Sequence, residues 1–226
     1  MTPVATAAPT ALYEAALRSP DGRLWVRLAD GERQPLPVPA WRGEITTADD
    51  SLLRRCASPV LDIGCGPGRL AGALAGRGLP VLGIDVAPYA VALARAAGTA
   101  ALCRDVFDPL PGEGRWATLL LADGNIGIGG NPGRLLARAG ELVAPDGAVL
   151  VELQSEPRSL GVQLVQLEAP DGRRSRPFPW SFLGHAEILG HATAAGLTLT
   201  ETWRRGGRHF AALRPLCRSD AHRAVC

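Results

Sequence analysis

The segment VLDIGCGPGRL places glycines at alternate positions, which are Gly64, Gly66 and Gly68. Glycine permits a tight turn and lets a ligand approach backbone N–H groups closely. Asp62 lies inside the apolar run before these glycines, and Asp85 ends the next apolar run, 17 residues after Gly68. A carboxylate at that place can accept hydrogen bonds from both hydroxyls of a ribose. The glycines and the acid together predict a site for a nucleoside-containing ligand, and the alternative is a turn that serves packing alone.

Further polar side chains follow the later apolar runs. Glu152 and Gln154 end the run AVLVEL two residues apart, so they share one face of a strand. Asn125 follows the run WATLLLA. We expect it at the same edge of the sheet as Glu152, where the carboxyl ends of the strands meet. Glu152 is therefore the first candidate for a catalytic base or a substrate ligand, and a solvated strand end is the alternative.

His185 is the second catalytic candidate. Imidazole exchanges a proton near neutral pH, and the predicted last helix starts close to this edge of the sheet. The alternative, at least as strongly favoured, is a packed helical stripe made of Phe182, His185, Leu189 and Ala192. Asp123 and His209 complete the set of plausible bases, because the sequence contains no lysine.

Three more groups are candidates for ligand contact. An Arg-rich turn either binds a carboxylate or phosphate or is simply solvated, and its residues are Arg173, Arg174 and Arg176. Alternating aromatic residues form either a wall over a substrate or a seal between helix and sheet, and they are Phe178, Trp180 and Phe182. Aromatic residues near the N-terminus are candidates for a lid, namely Tyr13, Trp25 and Trp41.

The elements that must position these residues alternate between apolar strands and helix-period segments. The predicted strands are Pro59–Ile63, Pro80–Asp85, Ala100–Cys103, Trp116–Ala122 and Ala148–Leu153. The predicted helices are Pro67–Arg77, Pro88–Ala97, Pro132–Val143 and Ser181–Ala195. Continuous apolar strands separated by helices are typical of a parallel sheet that is covered on both faces.

The two ends of the chain differ from this pattern. The segments Leu197–Trp203 and Arg208–Leu213 are joined too closely for a parallel crossover, so the last hairpin is antiparallel. A helix-like segment and a hairpin signal around Ala-Asp-Gly-Glu precede the first parallel strand, and Thr46 or Thr47 can cap a short helix there. We therefore expect an N-terminal extension or lid over 1–45, a catalytic domain over 46–214 with a substrate-side insertion at 154–179, and a tail over 215–226.

Composition narrows the classes of protein. The 226 residues are 46% hydrophobic with a net charge of +2, which suits one sizeable core and does not favour a nucleic-acid partner. Five cysteines without a CxxC pair indicate free thiols in a reducing compartment and no metal site. The N-terminus MTPVATAAPTAL is a poor secretion signal, and no apolar run approaches membrane-spanning length. The sequence therefore predicts a cytoplasmic protein without a membrane partner.

The glycine spacing is G-x-G-x-G, whereas a dinucleotide fingerprint requires G-x-G-x-x-G. With Asp62 before it, the segment resembles the first motif of the class I S-adenosylmethionine-dependent methyltransferases. Two later segments resemble the third and fourth elements of that family, and they read RDVFDPLP and LLADG. The resemblance covers roughly residues 45–214. It implies a Rossmann-like three-layer α/β/α sandwich with a mostly parallel seven-stranded sheet, an antiparallel last hairpin and an N-terminal extension.

The resemblance also implies which residues hold S-adenosylmethionine and its product S-adenosylhomocysteine. Asp85 is the implied ribose ligand, Val86 lies beside the adenine, Asp105 accepts from the adenine amino group, and the Val106 N–H faces a ring nitrogen. The full implied set is Asp62, Gly64, Cys65, Gly66, Gly68, Asp85, Val86, Asp105, Val106 and Asp123. Arg42, next to the predicted lid, is a candidate for contact with the methionine carboxylate.

The fourth element continues as DGNIGIGGNP, not as the Asn/Asp-Pro-Pro-aromatic signature of methyltransferases that act on nucleic-acid or protein nitrogens. This departure and the compact core favour a small-molecule acceptor, with oxygen slightly ahead of nitrogen or carbon, and a place in bacterial secondary metabolism. The alternatives are a nicotinamide-dependent reductase and a non-catalytic domain that binds S-adenosylmethionine. The oligomeric state is left open.

Overall fold

The structure is a computed structural model, and it describes residues 7–155 and 160–216. In chain order the strands are β1 (Trp25–Arg27), β2 (Arg33–Pro35), β3 (Val60–Ile63), β4 (Val81–Asp85), β5 (Ala101–Cys103), β6 (Trp116–Leu121), β7 (Val143–Leu153), β8 (Gly161–Glu168), β9 (Phe178–Phe182), β10 (Leu197–Arg205) and β11 (Arg208–Pro215). The α-helices are α1 (Pro9–Arg18), α2 (Thr47–Leu53), α3 (Arg69–Gly76), α4 (Pro88–Ala96), α5 (Pro132–Leu142) and α6 (His185–Ala194). Two short 3-10 segments cover Ala40–Arg42 and Asn125–Gly130.

The main sheet has seven strands in the order β10-β11-β7-β6-β3-β4-β5. The five strands from β7 to β5 pair in parallel. Strand β11 runs antiparallel to both β7 and β10. The predicted α/β fold, a mostly parallel sheet with an antiparallel last hairpin, is confirmed.

The two faces of the main sheet carry different apolar layers. Leu119 and Leu121 of β6 point into the layer that α5 and α6 cover, while Leu120 points into the layer under α2 and α3. All three leucines are fully buried. Each contributes about 1.5–3 kcal/mol relative to an exposed side chain. Because successive leucines of this strand point to opposite faces, both faces of the sheet must be covered by helices, which gives three layers.

Two predicted helix boundaries are wrong. The helix predicted from Pro67 begins at Arg69, because Gly68 adopts a left-handed conformation with φ 91°. The helix predicted from Ser181 begins at His185, because residues 178–182 pair with β8 as a strand. The stripe that joined Phe182 to His185 and Leu189 is therefore not a helical face, and Leu189 is exposed.

A second, four-stranded antiparallel sheet has the order β2-β1-β8-β9. The predicted N-terminal hairpin forms its first two strands. Val26 of β1 lies opposite Leu167 of β8, so the N-terminal extension pairs directly with the segment that follows β7. Val165 of β8 in turn lies opposite Phe178 of β9. The extension and the insertion thus build one layer together.

Helix α1 anchors the extension to the main domain. Leu12 and Leu17 are almost completely buried, in a cluster that includes Ala87 and Ala90 at the start of α4 and Leu167 of β8. This contact holds the extension over the carboxyl end of β4, where Asp85 lies.

Candidate active site

The glycine loop connects β3 to α3. Gly64, Gly66 and Gly68 have φ values of 72°, 53° and 91°, which side chains with a Cβ rarely adopt. A Cβ at Gly64 would lie 2.6 Å from Asn125 Nδ2, and one at Gly68 would lie 2.8 Å from the Cβ of Ala94. Bare backbone is therefore required here both by conformation and by space.

Asp85 ends β4 beside this loop. Its Oδ2 accepts a hydrogen bond from the Gly66 N–H at 2.9 Å, and its Oδ1 accepts one from the Ala87 N–H at 2.8 Å. Burial raises the pKa of the Asp85 carboxyl above its ordinary value. Each oxygen has a further lone pair, so Asp85 can still accept from a ligand hydroxyl. The carboxylate thus shapes the loop as well as lining the cavity.

A small recess lies under the glycine loop, and three of its lining residues carry buried polar atoms without a partner in the described chain. These atoms are the Trp41 Nε1 and Arg69 Nε donors and the Asp62 Oδ2 acceptor. Buried polar groups in proteins are almost always hydrogen-bonded. Two donors and one acidic acceptor around one recess suit a ligand with a carboxylate and an ammonium group, as in the methionine part of S-adenosylmethionine.

Asp62 is the most perturbed acid in the site. Burial and, to a smaller extent, the negative charge of Asp123 raise the pKa of its carboxyl to about 7, while Arg69 acts in the opposite direction. A backbone hydrogen bond from Ala71 reaches the carboxyl, but its Oδ2 is buried without a partner, which is costly, and a ligand cation beside that oxygen would remove most of the cost.

Five charged side chains form a cluster beside the recess: Asp49, Arg69, Asp123, Glu152 and Arg208. Arg69 donates to Asp49 Oδ2, and to Asp123 Oδ2 at 2.8 Å. Arg208 donates to Asp49 Oδ1 at 2.6 Å, to Asp123 Oδ1 at 2.9 Å, and to both oxygens of Glu152 at 2.6 and 2.5 Å. We call this the ion cluster; it holds three carboxylates and two guanidinium groups.

The ion cluster also fixes the backbone. Glu152 Oε2 accepts from the Asp123 N–H at 2.6 Å, and Asp123 has a left-handed φ of 53°. Asp49 completes a capping box with Thr46, as the sequence predicted for one of the two threonines. Burial raises the pKa of the Asp49 carboxyl, but hydrogen bonds from Thr46 and Arg208 outweigh burial, so the pKa lies below its ordinary value.

The large cavity has a volume of about 1090 Å³ and lies between the carboxyl ends of the parallel strands and the second sheet. Single-ligand pockets typically measure roughly 300–1,000 Å³, so a nucleoside and a small second molecule fit together. We call the side of the second sheet that lines it the inner face. Its residues are Val26, Gln34, Val165, Leu167, Phe178, Trp180 and Phe182.

Most of the residues that the family resemblance implies as cofactor ligands lie at the large cavity or the recess. Val86, Asp105 and Val106 line the cavity; Val86 and Asp105 are exposed, while Val106 is buried. Cys65 lines the recess, and its sulfur lies 2.6 Å from the place of a Cβ on Gly83. Gly68 lines neither the cavity nor the recess. Burial raises the pKa of the Cys65 thiol.

The predicted lid is placed in part. Tyr13 and Trp41 line the cavity and pack edge to face, with ring centroids 5.8 Å apart. The hydroxyl of Tyr13 lies 3.0 Å from the place of a Cβ on Gly66. Trp25 is not among the residues that line the cavity, and exposed Arg42 donates to the Ser19 carbonyl at 3.1 Å. Arg42 is therefore not brought to the recess.

The two catalytic candidates are placed differently. Glu152 lines the cavity, but both of its oxygens are bound by Arg208. His185 is exposed at the start of α6 and does not line the cavity. Gln154 and Asn125 do line it, as expected.

The Arg-rich turn lies outside the cavity. Arg173 pairs with Asp171 and Arg174 pairs with Glu168 on the outer side of the second sheet. Arg176 is exposed. The prediction of a solvated turn, not of an anion site, agrees with these contacts.

Sequence reasoning missed the roles of Asp49 and Arg69 and did not connect Arg208 to them. In the sequence, Arg208 is recognisable only as the first residue of the last predicted strand. The five members of the ion cluster are spread over 160 positions, from residue 49 to residue 208. The one local signal is an Arg directly after the glycine loop.

Within the described ranges, three further features were predicted or excluded from sequence: the state of the cysteines, a metal site and a membrane-spanning helix. Cys56, Cys65 and Cys103 are free thiols, whereas Cys217 and Cys226 lie outside the described residues. Residues 7–155 and 160–216 contain no group of three His, Cys, Asp or Glu that could hold a metal ion. None of the helices described there has the length and apolar character needed to cross a membrane.

Comparison with known proteins adds a family. The family model "Methyltransferase domain" matches residues 60–147, and no curated protein matches the chain. The chain is similar to a solved S-adenosylmethionine-dependent methyltransferase from Bacteroides fragilis in complex with S-adenosylhomocysteine. The TM-score is 0.76 at 22% identity, and the match covers 92% of this chain and 94% of that one.

Two further solved structures are similar over less of the chain. A 1,6-didemethyltoxoflavin-N1-methyltransferase from Burkholderia thailandensis has a TM-score of 0.56 at 22% identity, covering 78% of this chain and 80% of that one. An amino pentose methyltransferase from Micromonospora echinaspora has a TM-score of 0.55 at 21% identity, covering 78% and 94%. Likeness at this level of identity concerns the fold.

The fold and the family match define a class I methyltransferase domain, which the matched residues 60–147 span from β3 into β7. Residues 60–147 match a methyltransferase domain, and the chain as a whole has the fold of solved S-adenosylmethionine-dependent methyltransferases.

Proposed function

We propose that the protein binds S-adenosylmethionine in the recess and the adjoining cavity and transfers its methyl group to a small-molecule acceptor. The observation that carries this proposal is the set of unpartnered buried atoms of Trp41, Asp62 and Arg69 beside the glycine loop. Asp85, one strand away, is the proposed ribose ligand, and Val86, Asp105 and Val106 are the proposed adenine contacts.

When bound, the cofactor supplies an activated methyl group on a sulfonium sulfur. The protein then has to hold the acceptor in line with that methyl group and exclude water, which can supply most of the rate enhancement. The inner face closes the cavity opposite the strand ends. A base is needed only where the acceptor still carries a proton.

Glu152 is proposed as a positioning residue. Arg208 binds both of its oxygens, and Glu152 in turn holds the Asp123 N–H, so it fixes the edge of the recess. We propose an acceptor hydroxyl, slightly favoured over nitrogen or carbon, as the group that is methylated.

A small molecule suits this cavity better than a macromolecule, because the second sheet covers the strand ends. Two of the structural relatives are named for small acceptors, a didemethyltoxoflavin and an amino pentose. A role in bacterial secondary metabolism remains part of this proposal.

The first test is calorimetry with S-adenosylhomocysteine and NADH. We expect binding of the former alone, and heat with NADH alone would contradict the proposal.

Asp85→Asn should weaken S-adenosylhomocysteine binding by about 1.5–3 kcal/mol, the range for hydrogen bonds to a charged group. It should also lower the melting temperature, because Asp85 holds the Gly66 and Ala87 N–H groups. Unchanged affinity in a folded variant would show that the carboxylate serves the loop alone.

His185→Gln separates the two catalytic candidates. Because His185 is exposed and does not line the cavity, we expect kcat to stay within about twofold of the wild type. The measurement is transfer of labelled methyl groups to an acceptor recovered from a metabolite extract. A fall of roughly 100-fold at constant cofactor affinity would restore His185 as the base.

A further inference from the structure

The pairing register of the second sheet decides what faces the cavity. Gln34 lies opposite Val26, Val26 opposite Leu167, and Val165 opposite Phe178. Directly paired residues share a face, and every second residue along a strand returns to it. The side chains of this face that line the cavity are therefore apolar or aromatic, apart from one amide, Gln34; Gln163, opposite Trp180, shares the face but does not line the cavity. The charged residues of these strands, Arg27, Arg33 and Glu168, pair with one another on the opposite side.

The aromatic part of the inner face is held in place. Phe178 and Trp180 pack edge to face with centroids 6.2 Å apart. A Cβ at Gly127 would lie 2.3 Å from Trp180 Nε1, and one at Gly130 would lie 2.5 Å from the Pro179 Cβ. The glycines of NIGIGG thus let β9 press against the loop after β6. This close packing explains why the segment is rich in glycine and does not continue with the bulkier Asn/Asp-Pro-Pro-aromatic signature.

Among residues 7–155 and 160–216, the cavity has no uncommitted guanidinium on its acceptor side. Arg69 and Arg208 are committed to the three carboxylates of the ion cluster. Arg104, the other guanidinium that lines the cavity, is exposed beside the proposed adenine contacts and donates to the Cys103 carbonyl at 3.1 Å. An acceptor carboxylate or phosphate would therefore be buried against a cluster with one excess negative charge.

Two amide side chains are available instead. Gln34 lies on the inner face, and Gln154 follows Glu152 at the end of β7. Among residues 7–155 and 160–216, neither side-chain amide makes a hydrogen bond, although the Gln154 backbone N–H donates to Leu183. An amide can both donate and accept, which suits a neutral hydroxyl, carbonyl or ring nitrogen.

We infer that the acceptor is a neutral, flat, largely apolar molecule, which packs on Phe178 and Trp180 and is oriented by the Gln154 amide. This inference rests on the proposed function, since it places the acceptor beside a bound cofactor. Gln154 lies two residues beyond Glu152, and its Nε2 lies 3.9 Å from the place of a Cβ on Gly124, the residue after Asp123. It is therefore the amide that can set which atom of the acceptor faces the methyl group.

The test uses three probes that share one ring system: 2-naphthol, 2-naphthoate and 2-naphthyl phosphate. Each is titrated by calorimetry into the full-length protein that has been saturated with S-adenosylhomocysteine. We expect 2-naphthol to bind on the order of 30-fold more tightly than either anion, because a buried charge without a partner is costly. Gln154→Met should weaken 2-naphthol binding about threefold to tenfold, as for the loss of one neutral hydrogen bond.

The matched control is Gln163→Met. Gln163 is also in the second sheet, but its amide donates to the Leu160 carbonyl at 2.7 Å and it does not line the cavity. This variant should bind 2-naphthol like the wild type. Equal or tighter binding of an anion would overturn the inference, and so would the absence of 2-naphthol binding or an equal loss in both variants. Failure to bind S-adenosylhomocysteine itself would instead contradict the proposed function.

Discussion

Asp62→Asn is expected to weaken S-adenosylhomocysteine binding by about 1.5–3 kcal/mol at pH 7.5, and to leave the ligand-free protein at least as stable as the wild type. Asp62 Oδ2 is buried, and the described residues offer it no partner, so in the ligand-free protein its charge costs free energy. The amide keeps the shape of the side chain and removes that cost. It also removes the acceptor that a ligand ammonium would use.

The same residue predicts a pH dependence of binding. Burial and the neighbouring charges of Asp123 and Asp85 raise the pKa of Asp62 to about 7, although Arg69 acts in the opposite direction. Below that pH the carboxyl is protonated in the free protein and must lose its proton to pair with a cation. Affinity should therefore rise with pH between about 5.5 and 7, by up to about tenfold per unit. Within this window the ligand ammonium stays protonated.

Calorimetry in buffers of different ionisation enthalpy measures both the affinity and the proton release. Asp171→Asn is the matched control, because Asp171 is exposed, pairs with Arg173 and lies outside the cavity. It should leave the pH profile of binding unchanged. A profile that is the same in the wild type and in Asp62→Asn would show that Asp62 does not meet the ligand cation.

The main sheet could be predicted because its signals are local. A run such as WATLLLA is apolar on both faces, and a proline or a glycine marks where the following helix begins. The glycine loop is equally readable, since Gly64, Gly66 and Gly68 all need φ values that other residues avoid. Asp85 follows as the acid at the end of the next strand.

Beyond its β1–β2 hairpin, the second sheet could not be predicted, because its pairing joins segments far apart in sequence. Val26 lies opposite Leu167, 141 positions away, and neither segment shows which partner it needs. The same pairing explains the misplaced helix start. Phe182 has a spacing that fits a helical stripe with His185 and Leu189, but residues 178–182 pair with β8 as a strand. His185 is therefore the first residue of α6, where it is exposed and does not line the cavity.

The ion cluster illustrates the same limit for the site. Its members come from α2, α3, the ends of β6 and β7, and the start of β11. Each residue alone looks like an ordinary helix cap, strand end or hairpin charge. Their joint role depends on the carboxyl ends of parallel strands meeting at one edge, together with the antiparallel return of β11.

Arg208→Met should destabilise the protein by about 3 kcal/mol at pH 7, the low end of the range for breaking a buried ion pair. The substitution keeps an apolar stem but removes the guanidinium that binds Asp49, Asp123 and Glu152. Three carboxylates would then face Arg69 alone. S-adenosylhomocysteine affinity should fall as well, because Glu152 would no longer be held against the Asp123 N–H at the edge of the recess.

The loss should depend on pH in a direction that a simple packing defect would not give. In the wild type, hydrogen bonds from Thr46 and Arg208 outweigh burial and keep the pKa of Asp49 below its ordinary value. A depressed carboxyl pKa stabilises the fold above the unfolded-state pKa of about 3.9, and this contribution is lost as the pH falls through the folded-state pKa. The gap in unfolding free energy between wild type and Arg208→Met should therefore be full at pH 7 and narrow below about pH 4. Urea unfolding across this range measures it, with exposed Arg204→Met as the control. A gap of constant size would mean that Arg208 stabilises the protein through packing and not through the carboxylates it bridges.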